Sequence, residues 1–397
     1  MRVARTQPPV GYRVPMRHLV RAAYGSLVPG SEGPPPVLRE IADTLGVRYA
    51  FAVSSGKAAL ATVLEALLDR SRRRKVILPA YTCYSVPSAV RKAGLDPVPC
   101  DIAAGSFDYD YDQLGSLLGD DVLCVLSVHL FGIPSDTNRL NGMCQPLGIF
   151  VVEDAAQALG VQHAGSWLGT RADVGFFSLG RGKNITAGSG GLIVTNSDEI
   201  GRNLQARIGR LPPSRLTDDI RTCVLLSLSS LFISPWLFWL PAGLPFLKLG
   251  ETLFHGDFPI RRFSTFQLML LRDWRARLDV LAASRRRAAS VYLARIVGAK
   301  DYAPELAYLR FPLLVDSQVK DRILSEGAGR RYGISHMYPT SVGAIPELQG
   351  CLRETRFPEA ERVCRSLLTL PTHPLLSEGD LLRISDIINA AGRRSEA

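Results

Sequence analysis

The chain has 397 residues and a mass of 43.4 kDa, with 46% hydrophobic and 21% charged residues. Those fractions exclude a disordered or collagen-like polypeptide and fit two domains, or one large α/β domain with an appendage. Lys and Arg outnumber Asp and Glu by 47 to 37, a net charge of +10, which favours anionic partners such as acidic lipid or phosphorylated small molecules; with no dense basic tract carrying interleaved aromatics, no nucleic-acid partner is expected.

In chain order, residues 1–35 are rich in Pro, Gly and Arg and read as an irregular arm. From about Pro36 helical and extended patterns alternate. Val37 to Leu45 reads as helix, Arg48 to Val53 as strand, Ser54 to Gly56 as a turn and Lys57 to Leu68 as an Ala/Leu-rich helix. Val76–Pro79 is a short buried strand, Ser85 to Ala93 a helix, and Asp96 to Ile102 extended. Val122–Val128 and Ile149–Glu153 are continuous apolar runs, and Val174–Ser178 and Gly191–Thr195 add two more strands. Apolar strands alternating with helices predict a mostly parallel sheet covered on both faces, with ligands at the carboxyl ends of the strands.

The texture changes after Ile200. Residues 222–247 hold no Asp, Glu, Lys or Arg, but include Pro235, Pro241, Pro245 and the aromatic cluster Trp236 to Trp239. Phe266 to Ile296 reads as one long amphipathic helix. Strand signal follows at Tyr308–Val315, and helix signal at Pro358–Leu368 and Glu378–Ala391. The expected organisation is an arm (1–35), a large domain (36–221), an apolar insertion (222–262), and a long helix with a small C-terminal α+β domain (263–397).

The seven cysteines form no CxxC pair and several lie in apolar runs, so they read as reduced thiols of a cytoplasmic protein. The N-terminus lacks the apolar core of a secretory signal. The six histidines are scattered, and no metal is expected.

The stretch from Val151 to Thr195 carries the chemistry. A buried strand delivers Glu153 and Asp154, with Gln157 just beyond; Ser178 and Lys183 follow among glycine-rich turns. Taken singly, an Asp after a strand is usually a helix cap and a Lys in a glycine loop is usually solvated. In this order they are the pair that pyridoxal 5'-phosphate (PLP) chemistry needs: a lysine amine to form the Schiff base with its aldehyde, and a carboxylate to keep the pyridine nitrogen protonated.

The sequence resembles the DegT/DnrJ/StrS family of PLP-dependent sugar aminotransferases, of PLP fold type I, over about Val37 to Ile387. Its most specific piece is Glu153-Asp154-Ala155-Ala156-Gln157, followed by Phe177-Ser178 and Lys183-Asn184-Ile185-Thr186. The resemblance implies that Lys183 and Asp154 are the catalytic residues, that Gln157 lies near the cofactor ring, and that Ser178 holds its phosphate. Ser55-Gly56-Lys57 matches the family's phosphate turn, which would receive the phosphate at a helix N-terminus. Pro79 to Cys83 and His129 to Gly132 match two further family segments.

Three departures stand out. Lys57 replaces the threonine of the phosphate turn. Cys83 replaces the ring-stacking aromatic, leaving Tyr84, Tyr81 or the sulfur itself for that role. Arg261 to Thr265 stands where the family lends an asparagine to the neighbouring subunit. The resemblance implies a homodimer that transfers an amino group, usually from glutamate, to a nucleotide-linked keto sugar in polysaccharide or glycoconjugate biosynthesis. The rival readings are a PLP enzyme with another substrate and a degenerate scaffold protein of polysaccharide assembly. For 222–247 two readings stand side by side: a hairpin dipping into one leaflet of the inner membrane's cytoplasmic face, with Trp236 and Trp239 near the interface and Arg215, Arg221 and Lys248 at the headgroups, or a buried core or dimer-interface insert.

Overall fold

The computed structural model describes residues 5–26, 36–244, 253–299 and 302–393. In chain order the strands are β1 (Tyr49–Val53), β2 (Lys75–Pro79), β3 (Asp96–Cys100), β4 (Val122–Val128), β5 (Phe150–Asp154), β6 (Gln162–His163), β7 (Ser166–Trp167), β8 (Val174–Ser178), β9 (Gly191–Thr195), β10 (Phe311–Leu314) and β11 (Leu367–Leu370). Seven of them form one sheet in the order β1-β9-β8-β5-β4-β2-β3. All its neighbouring pairs are parallel except those made by β9, which runs antiparallel to both β8 and β1. The chain is thus α/β, with the mostly parallel seven-stranded sheet that the alternating pattern predicts. Every residue of β4 is buried, as expected for a strand covered on both faces.

Helix Gly56–Leu68 packs beside the sheet with Ala58 to Leu64, Ala66 and Leu67 buried. Ser55 starts it: its extended backbone and its hydroxyl, which accepts from the Ala58 amide, make an N-cap. A long helix, Trp274–Arg295, leads to the C-terminal part, where β10 and β11 pair antiparallel and helices Ser317–Ser325, Pro358–Ser366 and Glu378–Arg393 pack around them.

Several elements differ from the sequence expectation. The span from Phe266 to Ile296 is two helices, Thr265–Leu270 and Trp274–Arg295, because Asp273 takes a left-handed conformation (φ 58°) and turns the chain between them. Leu367 and Leu368 leave the predicted helix and join β11, where both are buried. Inside the N-terminal arm, Met16–Gly25 is a helix. Part of the apolar stretch belongs to the helix Leu216–Phe232, which sends Leu226 into the core and leaves its other residues half-buried or exposed. Turns from Ile233 to Phe238 and a short helix, Trp239–Ala242, follow it. Residues 245–247 and Lys248 lie outside the described residues. Among the described residues no helix is long and apolar enough to cross a membrane.

The arm is fastened at several points. Arg5 forms a bidentate ion pair with Asp380, and Gln7 Nε2 donates to the same carboxylate at 2.9 Å. His373 Nε2 meets the Pro8 carbonyl at 2.8 Å, and the Thr6 amide donates to Pro235 O. Val10 fills the space that a side chain at Gly182 (φ +76°) would need, so the arm also lies on the loop that carries Lys183.

Candidate active site

The carboxyl ends of β1, β2, β4, β5 and β8 point to one side of the sheet, and the loops leaving them surround an open cavity. β1 leads to Gly56 and Lys57, β2 to Thr82 and Cys83, β4 to His129, β5 to Asp154 and Gln157, and β8 to Ser178 and Lys183; all of them line the cavity. Seven of the nine residues singled out from the sequence therefore meet at one place. The other two do not line it. Ser55 caps the helix that Gly56 begins, and the Tyr84 hydroxyl is engaged with Thr340. Tyr81 is also turned away, its hydroxyl donating to Met337 O. Of the three candidates for facing a cofactor ring, only Cys83 is on the wall.

The wall carries uneven electrostatics. Asp154 is 6% exposed, and burial pushes its carboxyl above the ordinary carboxylate range; the Ala156 amide and the charge of Lys183 only partly oppose that rise. Its neighbour Glu153 points to the opposite side of the strand and is better satisfied. It accepts from the Gly169, Arg171 and Ala172 amides and faces His129 Nε2 at 2.8 Å. Burial alone would raise Glu153, but those donors outweigh it and hold it below the usual range. The Ser135 amide donates to His129 Nδ1, so that nitrogen is unprotonated and Nε2 carries the proton towards Glu153. Burial also lowers the Lys57 ammonium, which sits 4.4 Å above the centre of the Phe258 ring.

Tyr338 was missed by the sequence reading. It lies in the loop after helix Ala328–Arg331, takes a positive φ of 48°, and accepts at its hydroxyl from Gln157 Nε2. Gln157 Oε1 accepts from the Phe131 amide, so the side chain bridges the two halves of the wall. Arg310 is close behind Tyr338. Burial pushes its guanidinium down to about 10, and its Nε has no hydrogen-bond partner among the described residues. Arg261, in the segment that departs from the family pattern, accepts at its carbonyl from the Ser54 amide and donates its own amide to Ser54 Oγ, and Arg262 bridges Val53 at the edge of the sheet.

These residues fit PLP. Asp154 is a buried carboxylate with no ion-pair partner within 4.0 Å among the described residues, as a group awaiting a cationic N–H would be. Thr82 Oγ1 is buried without a partner. A side chain at Gly56 would strike Ser178 Cβ and Oγ, so the glycine keeps the helix N-terminus and the Ser178 hydroxyl in one small cradle of phosphate size. Lys183 follows directly after that cradle.

Comparison with known proteins agrees with the geometry. The chain is 26% identical over 359 residues to a UDP-N-acetyl-3-dehydro-alpha-D-glucosamine 3-aminotransferase of Acidithiobacillus ferrooxidans, covering 88% of this chain and 86% of that protein. It is 32% identical over 161 residues to a GDP-perosamine synthase of Vibrio cholerae, a match that spans 41% of this chain and 44% of that protein. Among solved structures, a Streptococcus pneumoniae chain known in PLP and PMP forms shares the fold. Its PMP form has a TM-score of 0.77 at 19% identity, covering 99% of this chain and all of that one. Residues 38–207 match the model of the DegT/DnrJ/EryC1/StrS aminotransferase family.

Proposed function

We propose that this protein is a PLP-dependent aminotransferase that moves an amino group, from glutamate, to a keto group of a nucleotide-linked sugar in polysaccharide or glycoconjugate biosynthesis. The observation that carries the reading is the pairing of Asp154, at the end of β5, with Lys183, in the loop after the adjacent β8, across one cavity. The relatives' named substrates, a UDP sugar and a GDP sugar product, support the nucleotide-linked class.

When bound, PLP supplies an aldehyde that takes up an amine and a ring that draws electrons from the adjacent carbon. The protein's residues do the remainder. Lys183 Nζ would be the cofactor's attachment point and, once free, would carry a proton between the amino-bearing carbon and the cofactor. Asp154 keeps the ring-nitrogen proton in place: a cation there lowers a carboxyl that burial has raised, and each stabilises the other. Ser178 Oγ and the amides of Gly56 and Lys57 hold the phosphate, and the Lys57 ammonium adds the charge that compensates for the family's missing hydroxyl. The Cys83 sulfur takes the ring-facing place. Gln157, held by Phe131 N and the Tyr338 hydroxyl, fixes the ring's orientation. A cytoplasmic homodimer belongs to the same reading, on the resemblance alone.

The test is a half-reaction. The purified protein should be yellow and should bleach on addition of glutamate, and keto-sugar nucleotides should restore the colour. Borohydride reduction followed by peptide mapping should place the pyridoxyl group on Lys183. A label on Lys57, or a yellow protein that glutamate leaves unchanged, would overturn the reading.

A further inference from the structure

Two helices turn apolar stripes to solvent. On Leu216–Phe232 the exposed residues are Leu216, Ile220, Val224, Leu228 and Leu231, between 47% and 73% accessible. At about 100° per residue they fall within one arc of roughly 120°. The other residues of that arc are Thr217 and Ser227, so it carries no charge. The buried Leu226 is on the opposite side. The adjoining helix Met16–Gly25 repeats the pattern: Met16, Val20 and Tyr24, spaced by four, are exposed, while His18, Leu19 and Ala22 are buried. Beyond the first helix Trp236 is 66% accessible. A helix of a water-soluble domain normally turns its apolar stripe inward, so two neighbouring helices with outward stripes mark a surface that meets something apolar.

Charge selects the partner. Arg17 and Arg221 lie beside the stripes on their helices, and Arg13 and Arg215 lie just before the helix starts; all four are exposed and have no acidic partner within 4.0 Å among the described residues. Asp218 and Asp219 are on the far side of their helix from the stripe, by the same 100° spacing. The pattern is an uncharged apolar stripe on each of two adjoining helices, with Tyr24 in one, exposed Trp236 in the turns beyond the other, and arginines without an acidic partner beside them. That is how interfacial helices bind an anionic bilayer, apolar side down and basic rim at the headgroups. A second copy fits less well. A two-fold contact through this face would set each copy's unpaired arginines near the other's.

We propose that the outward faces of helices Met16–Gly25 and Leu216–Phe232, together with Trp236, dock this protein on an anionic membrane surface without crossing it. The docked surface is thus a pair of interfacial helices that includes the N-terminal helix, and it begins before the uncharged stretch at Thr222.

The test is flotation of the full-length, PLP-loaded protein with vesicles of 70% phosphatidylcholine and 30% phosphatidylglycerol, and with pure phosphatidylcholine, alongside light scattering for the oligomeric state. The intact protein should float with the anionic vesicles. The double variant Ile220→Asp/Val224→Asp should bind at least about tenfold more weakly, while its cofactor absorbance and glutamate half-reaction stay unchanged. Arg17→Glu/Arg221→Glu should lose the preference for anionic vesicles. An intact protein that floats with neither vesicle overturns the proposal, whatever its activity. So does an apolar-face variant that floats as before but becomes monomeric, which would give the face to a second copy.

Discussion

The cavity at the carboxyl ends of the strands and the outward face of helix Leu216–Phe232 are opposite solutions to the same problem. In the cavity, polar groups are buried and most are matched by a donor or acceptor: Glu153 by three amides and His129, Gln157 by Phe131 and Tyr338. On the helix, apolar groups are exposed and unmatched. Both depart from the rule that apolar is inside and polar outside. The difference teaches that each departure marks a place where something from outside the chain completes the structure, a small polar cofactor in one case and an apolar surface in the other.

The largest way to break the comparison is at Lys183. Lys183→Ala should leave the fold intact and slow the glutamate half-reaction by about 10⁴-fold, since both attachment and proton transfer are lost; stopped-flow absorbance measures it. Asp154→Asn comes next, with a slowing of roughly 100- to 1000-fold. It also has a second, opposite effect. Because burial raises the folded Asp154 carboxyl, the folded cofactor-free protein holds that proton more tightly than the unfolded chain. Its stability therefore falls as pH rises from the unfolded carboxylate value towards the raised folded one. The Asn variant lacks that fall and should melt higher than wild type at neutral pH when cofactor-free. A variant melting no higher, with an unchanged half-reaction, would reduce Asp154 to a turn residue that accepts from the Ala156 amide.

The two faces of the outward helix give a sharper contrast. Leu226→Ala, on the buried side, should cost about 2–4 kcal/mol, whereas Val224→Asp, on the exposed side, should change stability by no more than about 0.5 kcal/mol; urea melts of both settle the orientation of the helix. A further test concerns the arm. Burial tends to raise Asp380, but the hydrogen bonds from Arg5 and Ser377 and the Arg5 charge outweigh it and hold the carboxyl down to about 2. That stability is present above the unfolded carboxylate value and is lost as pH falls towards 2. Asp380→Asn should cost about 2 kcal/mol at neutral pH and remove this acid dependence.

The sheet and most of the site were legible because their signals are local. Val122–Val128 is apolar throughout, and Asp154, Gln157, Ser178 and Lys183 fall within one short stretch of chain. Tyr338 was not legible: it reaches Gln157 from a loop with no periodicity, and only the three-dimensional packing of the C-terminal part brings it there. The break at Asp273 was hidden because the residues on both sides of it are good helix formers, and a single left-handed residue leaves no periodic trace. At Leu216–Phe232 the absence of charge was plain from Thr222 onward. An amphipathic pattern does not say which side faces the protein, and only the burial of Leu226 decides it.

The arm gives the molecule an order of assembly in time. Arg5 and Gln7 find their partner at Asp380, 375 and 373 residues further along the chain. At about 5–20 residues per second, a ribosome needs roughly 20 to 75 s to make that partner after the arm has been made. Throughout that interval the arm that carries Val10 over Gly182 has its contacts to Ser230 and Pro235 available but not its ion pair, so the cover on the Lys183 loop is held by hydrogen bonds alone until helix Glu378–Arg393 is made.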